Sequence, residues 1–279
     1  MLRYLFILFF YYLFISCSEG QETGQEPSGK LIWSDEFDYT GLPDASKWDY
    51  EKGFVRGKEA QYYTVRRPEN AFVENGNLVI TAVKERFKNP AYKPGSPNWQ
   101  ENREYAEYTS ASVVTNGKFE TKYGRIEVRA KLPYGNGTWP AIWMLGTNIS
   151  QIGWPRCGEI DIMEFLGKEP NRIYGTCHWG DAEGKHKSEG THIDVTPEPS
   201  KDFHIYAINW YPDRIEFYYD RRLYFTFNTS AADNGDDNAF RKPYYLLLNL
   251  ALGGWGGEID DSNGPWKYYI DYVRVYSFE

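Results

Sequence analysis

Three acids stand close together in the stretch "GEIDIMEF": Glu159, Asp161 and Glu164. Two carboxylates flanking one acetal linkage can cleave it. One attacks the anomeric carbon while the other protonates the leaving oxygen. Both must face the same cavity, so their spacing matters. Glu159 and Asp161 are one β period apart and share a strand face, with Ile160 and Ile162 on the other. Glu164 lies three residues beyond Asp161. In a regular strand it would follow Ile162 into the core, where a lone carboxylate is costly. One extra residue repairs this: with Met163 taken up in a β-bulge, Glu164 returns to the face of Glu159 and Asp161. A helix does not serve, because Glu159 and Glu164 would lie about 140° apart around its axis. Calcium takes oxygen ligands, but three carboxylates in line along a strand do not encircle an ion. A merely solvated edge sits badly with the flanking Ile, Met and Phe.

Aromatic residues surround these acids in the sequence. Trp139 and Trp143 lie in "GTWPAIWML", Trp154 just upstream, Trp179 just downstream and Trp255 in "GGWGG". Indole faces make flat platforms for sugar rings, and core packing is the competing reading for each. Carboxylates with such platforms point to glycoside hydrolysis. Like charges at close range push one pKa up, and the raised group is the acid at neutral pH. Asp161, between the two glutamates, can hydrogen-bond one of them and keep their charges unequal.

The elements that must position these residues read as strands. "RIEVRAKL" puts Ile126, Val128, Ala130 and Leu132 on one face and charged residues on the other. "NLVITAV", "SASVVT", "FHIYAINW", "RIEFYYD", "LYFTFN", "PYYLLLNLAL" and "YYIDYVRVY" behave similarly. Turn signals such as "VENGN", "YPDR" and "ADNGDDN" separate them. There is no long helical pattern and no internal repeat. Many short strands in 279 residues predict one large all-β sandwich or barrel. The polar run Phe87 to Arg103 reads as a long loop of the kind that frames a binding site. The formal charge of −8 argues against a nucleic-acid partner, and a neutral polymer is indifferent to it.

Residues 1–17 read as a secretory signal, with an apolar run from Tyr4 to Ile15 too short for an ordinary membrane span. Phe14-Ile15-Ser16-Cys17 is similar to a bacterial lipobox, which would make Cys17 a lipidated anchor; plain secretion with cleavage near Ser16 is the alternative. Residues 18–30 read as a flexible tether and 31–279 as the catalytic domain. Two cysteines remain, Cys157 and Cys177. If the strand after the acids is their antiparallel partner, Cys177 faces the core near Ile162 and Cys157 faces the cleft side. Two free thiols are predicted.

The acid motif E-x-D-x-x-E resembles that of glycoside hydrolase family 16, in its laminarinase-like, endo-β-1,3-glucanase branch. Further matching stretches are "AQYYTVRRPENAFVENGNLVITA", "YGRIEVRAKLPYGNGTWPAIWMLG", "IYGTCHWG" and "LLLNLALGGWGG". The resemblance implies a β-jelly-roll of two curved antiparallel sheets with a concave cleft, and retaining endo-hydrolysis of β-glucans. It implies Glu159 as nucleophile, Glu164 as acid/base and Asp161 assisting. It places Trp154 near the cleaved sugar, Trp139 and Trp143 in the cleft, and His178 beside the acid/base; Trp255 is added as a sugar platform. It implies no catalytic cofactor, but a structural calcium ion on the convex side at Asp271. The expected protein is an exported monomer that meets membrane only through a lipid anchor. Lys58 stands where many laminarinases have asparagine, and "GGWGG" is compact. Rival readings are a same-fold hydrolase of agar-type or other marine galactans, and a non-catalytic glucan-binding protein, which typically lacks the acids.

Overall fold

The computed structural model describes residues 29–57 and 59–278. The signal-like run, Cys17, the tether as far as residue 28, and Lys58 lie outside the described residues.

Alternating apolar residues close two sheets over a common core, the jelly-roll sandwich that the strand pattern and the resemblance led us to expect. The seven-stranded sheet runs in the order His186–Asp194, Arg172–Gly180, Glu159–Phe165, Thr138–Gly146, Tyr244–Leu252, Ser112–Val114, Asp49–Tyr50. The ten-stranded sheet has Gly124–Lys131 and Trp266–Ser277 near its middle. In "RIEVRAKL", Ile126, Val128 and Ala130 are fully buried, as the alternation predicts. Its polar face is also partly covered, with buried Glu127 taking a hydrogen bond from Arg125 Nε at 2.8 Å.

From the acid-bearing strand, Ile160, Ile162, Met163 and Phe165 point into the core, joining Ile173, Tyr206 and Phe217. Each fully buried apolar side chain of this size contributes roughly 1.5–3 kcal/mol. That burial fixes which way the acids face, because a one-residue slip would turn the whole strand over.

Three features depart from expectation. Gln61–Tyr63 pairs parallel with Tyr105–Ser110, so the sandwich is not wholly antiparallel. The intervening chain passes through Asn77–Lys88, which supplies the long connection that a parallel pair needs. His186–Asp194 is a strand although "HKSEGTHID" shows no apolar alternation. It is a sheet edge, where charge and polarity are tolerated and discourage pairing with other molecules. Trp179 is not a cleft aromatic. It alternates away from His178 into the core, against Phe227 at 5.3 Å.

Cys157 and Cys177 are both buried and free. Cys177 lies in the main core and Cys157 in a separate cluster with Trp143, Leu145 and Tyr245, as strand parity predicts. Cys177 pairs with Ile160, two residues from the expected Ile162. Among the described residues, no helix is long and apolar enough to cross a membrane.

Candidate active site

The two-then-three spacing of the acids produces a bulge. Against Thr138–Gly146, Asp161 pairs with Trp143, Met163 with Ile142 and Glu164 with Ala141, leaving Ile162 as the extra residue. Against Arg172–Gly180, Asp161 pairs with Thr176 and Glu164 with Tyr174, so Ile162 and Met163 together face Gly175. Both consecutive residues enter the core, at 1% and 0% exposure. Glu164 therefore regains the face of Glu159 and Asp161. The strand is entered through Gly158 at φ 78°. A Cβ there would sit 1.9 Å from the Tyr244 hydroxyl, so only glycine fits this turn.

The three acids line a cleft of about 660 Å³. Trp139, Ala141, Trp143 and Leu145 come from the neighbouring strand; Tyr245, Asn249 and Ala251 come from the next. Val55, Arg56, Gly57 and Glu59 close one side. The long loop after Phe87 frames the cleft indirectly. Gln100 Nε2 donates to the carbonyl of Val55 at 3.1 Å, and Arg103 Nη2 to that of Glu59 at 3.2 Å.

Each glutamate has its own indole. Trp154 Nε1 donates to Glu159 Oε2 at 2.8 Å, and Trp139 Nε1 donates to Glu164 Oε1 at 3.0 Å. Asp161 is 3% exposed, and its Oδ2 lies 3.0 Å from His178 Nε2. Burial raises the pKa of Glu164 well above the usual range; the Asp161 charge adds to this and the Trp139 bond opposes it. Burial and Asp161 also raise Glu159, opposed by His178 and the Trp154 bond. Asp161 is raised by burial, while a hydrogen bond shared with Glu159 lowers it. Three buried carboxylates cannot all be charged at this range, so a proton is held among them at neutral pH. Glu164 is the best placed to keep one.

The pattern that defines glycosyl hydrolases family 16 matches residues 58–274. The chain belongs to this family. It is 40% identical over 278 residues to a β-glucanase of Rhodothermus marinus, covering 94% of this chain and 91% of that one. It is 36% identical to the glucan endo-1,3-beta-glucosidase A1 of Niallia circulans, over 88% of this chain but 37% of that longer protein. The laminarinase structure from Rhodothermus marinus superposes with a TM-score of 0.77 at 41% identity, over 91% of this chain and all (100%) of that one. A structure from work on endo-acting O-glycanases that human gut bacteria use to initiate mucin breakdown superposes with a TM-score of 0.84 at 39% identity, over 90% and 92% of the two chains.

Within this family 16 cleft, most of the sequence-predicted residues come together. Trp143 is buried on the floor, donating to Asn249 Oδ1 at 2.7 Å. Trp154 stands at the lip, 48% exposed. Trp255 lies beyond Glu164, 5.8 Å from the Trp139 ring and 5.0 Å from Tyr174. His178 is opposite Glu159 in strand register, contacts Asp161 and lies close enough to Glu164 to act on its charge, with Tyr174 opposite Glu164.

Sequence reasoning missed Arg56, Glu51, Glu59, Asn249 and His186. Asn249 had a signal, a lone amide inside the apolar run "YYLLLNLAL". Arg56 had none. It comes from an irregular loop, and its guanidinium stacks 4.7 Å above Trp143 while Nη2 pairs with Glu51.

Glu159, Asp161 and His178 bring ligand-type atoms within 4.8 Å of one another. Glu159 accepts from Trp154, while Asp161 Oδ2, 3.0 Å from His178 Nε2, is buried without a hydrogen-bond partner; hydrolysis in this family needs no catalytic metal. Asp271 is far from this chemistry. Its Oδ2 accepts from Arg129 Nη1 at 2.5 Å. One carboxylate shared with a guanidinium does not by itself make a calcium site, which takes six to eight oxygens.

Proposed function

We propose that this protein is a retaining endo-hydrolase of internal β-1,3-glucosidic bonds in laminarin-type glucans, extending to mixed β-1,3-1,4 chains. The observation that carries this reading is the bulge, which sets three acids along the floor of one cleft with a separate indole on each glutamate. Glu159 attacks the anomeric carbon and Glu164 protonates the departing oxygen. Glu164 then draws a proton from the water that releases the glycosyl-enzyme. Asp161 holds Glu159 in line and keeps the two glutamates from being equally charged. Relatives whose names specify β-1,3-glucan cleavage support the substrate. The retained acids speak against a binding-only role such as that of the β-1,3-glucan-binding protein of Penaeus monodon, 36% identical over 57% of this chain.

A second reading, endo-hydrolysis of β-galactosidic bonds, is favoured by the likeness to the keratan-sulfate endo-1,4-beta-galactosidase of Sphingobacterium multivorum, 36% identical over 88% of this chain and 55% of that one. Product analysis on laminarin, barley β-glucan, agarose and desulfated keratan decides between them. Laminari-oligosaccharides in the first digest, with the galactans untouched, are expected. Cleavage of a galactan alone would overturn the glucanase reading.

The domain works outside the cytoplasm as a monomer, anchored through lipidated Cys17 and the tether of residues 18–30. The support is the apolar run and the lipobox-like residues before Cys17. A structural calcium ion at Asp271 would use its second carboxylate oxygen with backbone carbonyls. The family resemblance supports the ion, and the Arg129 pair opposes it.

A further inference from the structure

A second histidine stands behind the first. His186 Nε2 lies 2.8 Å from His178 Nδ1, with the two rings 5.1 Å apart and 25° from parallel. His186 also packs on the Trp154 indole at 4.7 Å. Trp154 holds Glu159, and His178 stands 3.0 Å from Asp161. Glu159, Trp154, His186, His178 and Asp161 thus form a closed ring of contacts, of which Trp154 and His186 are the exposed members.

The hairpin that carries His186 is braced. Lys185 N–H donates to Asp181 Oδ1 at 2.8 Å, Gly184 N–H to the Asp181 carbonyl at 2.8 Å, and Lys187 pairs with Asp181 at 3.4 Å. His186 is therefore held on a fixed turn next to the catalytic strand. Arg156 lies against the same turn at Gly180 and Gly184.

A neutral imidazole carries one N–H and one lone pair; the cation carries two N–H groups. His178 Nε2 stands 3.0 Å from Asp161 Oδ2 but off the line of a hydrogen bond; a carboxylate can only accept, so a small turn of the ring would close the bond with the proton on Nε2. Its Nδ1 then accepts when the ring is neutral and donates when the ring is charged. A backbone carbonyl behind it could serve only the charged form, and a lysine only the neutral one. An imidazole serves both, because His186 Nε2 can donate or accept.

We propose that His186 is a positioning residue for the hydrolysis described above. By donating to or accepting from His178 Nδ1, it keeps the His178 ring turned with Nε2 towards Asp161, so the Glu159–Asp161 pair is held ready for attack. This inference rests on the proposed glycosidase chemistry but not on which sugar is cleaved. The groups around the pair are Glu159, Asp161 and Glu164 from the acid-bearing strand, Arg156 from the loop before it, and Asp181 and Lys187 from the hairpin.

The test compares His186→Phe and His186→Gln with the parent on whichever polysaccharide the parent cleaves. Phenylalanine keeps the packing on Trp154 and removes the nitrogen. Its kcat should fall about tenfold, as for loss of one hydrogen bond to a charged network. KM should stay level, so that the loss falls on kcat alone. Glutamine can also donate or accept, and should recover most of the loss. Nitrogen-15 spectra of the unliganded parent should show the neutral His178 ring protonated at Nε2. A His186→Phe variant with parental kcat would overturn the proposal, as would a neutral His178 protonated at Nδ1. Activity too low in the parent on every glycan would sink the glycosidase reading, while the nitrogen-15 spectrum would still test the hydrogen bonding.

Discussion

Trp139 donates its indole N–H to Glu164 Oε1 at 3.0 Å, and the same indole ring stands edge-on to Trp255. One side chain therefore holds the proposed proton donor and forms part of the cleft wall. Trp139→Phe separates the two roles. The ring stays, so KM should change little. The bond favours the charged form of Glu164, which is the base in the second step, so kcat should fall about tenfold. Losing a contact that lowers the Glu164 pKa moves the alkaline limb of activity upward. Steady-state kinetics between pH 5 and about pH 9 check the sign.

The two glutamates should fail differently when truncated. Glu164→Ala removes the proton for the leaving oxygen, but attack by Glu159 survives if the leaving group is already stable as an anion. With an activated aryl laminari-oligosaccharide, added azide should give a glycosyl azide of retained configuration. In Glu159→Ala, azide enters the vacated space and attacks directly, giving the inverted product. Proton NMR of the anomeric centre distinguishes them. Exchanged configurations would exchange the roles, and unimpaired activity in both variants would remove the glycosidase reading of this strand.

Burial also sets a stability prediction. Glu164 and Asp161 have folded-state pKa values raised above their unfolded ones. The folded state then binds more protons, so their contribution is fully present below about pH 4 and is lost as pH rises through the raised values. Glu164→Gln and Asp161→Asn relieve the crowding of charge. Each should stabilise the protein at pH 7 by about 1–2 kcal/mol, several degrees in Tm, with the gain shrinking towards about pH 4. A Tm difference that does not depend on pH would contradict the charge argument.

Deleting Met163 regularises the strand while leaving the acids on their face. It also removes a fully buried side chain and the bend that aims Glu164 at Trp139. We expect a loss of about 2–4 kcal/mol in stability and at least a hundredfold loss in kcat, roughly the effect of misplacing a reacting group by an ångström. Wild-type turnover in a folded deletion variant would show that the bulge has no catalytic importance.

Chelation tests the chemistry at Asp271. Hydrolysis by two carboxylates needs no metal, so EDTA should leave kcat at 25 °C unchanged. Asp271→Asn breaks an ion pair that is about one-third exposed on both sides, and should cost about 1 kcal/mol or less. A fall in Tm on chelation, absent in Asp271→Asn, would identify a structural calcium ion. Loss of kcat would contradict the metal-free mechanism.

The catalytic strand was legible because its two constraints conflict in the sequence itself. Alternation assigns Glu159 and Asp161 to one face, and the cost of burying Glu164 demands the bulge. Parity likewise separated Cys177 from Cys157. The register of Cys177 was missed by two residues: the turn centres half a residue earlier than the midpoint of Lys168 to Asn171, which shifts each pairing by one, and the bulge adds a residue to one strand only, which shifts the pairings beyond it by one more. Trp179 was misread because a tryptophan near acids says nothing about which face it occupies. Its neighbour His178, already assigned to the cleft, carried that information through alternation. Arg56 and His186 left no periodic trace. One belongs to an irregular loop, and the other to an edge strand whose polarity conceals its period.

The first and last described strands lie side by side. Lys30 pairs with Ser277 and Asp35 with Val273, in the ten-stranded sheet, while the acids belong to the seven-stranded one. Both ends of the folded body are thus neighbours on the layer away from the cleft. Joining residue 277 back to residue 30 by a short linker, and opening the chain at an exposed turn such as Asp236, would give a circular permutant with the catalytic layer uncut. The same arrangement suits immobilisation: coupled to a solid support through either end, the enzyme would present its open side to an insoluble polysaccharide.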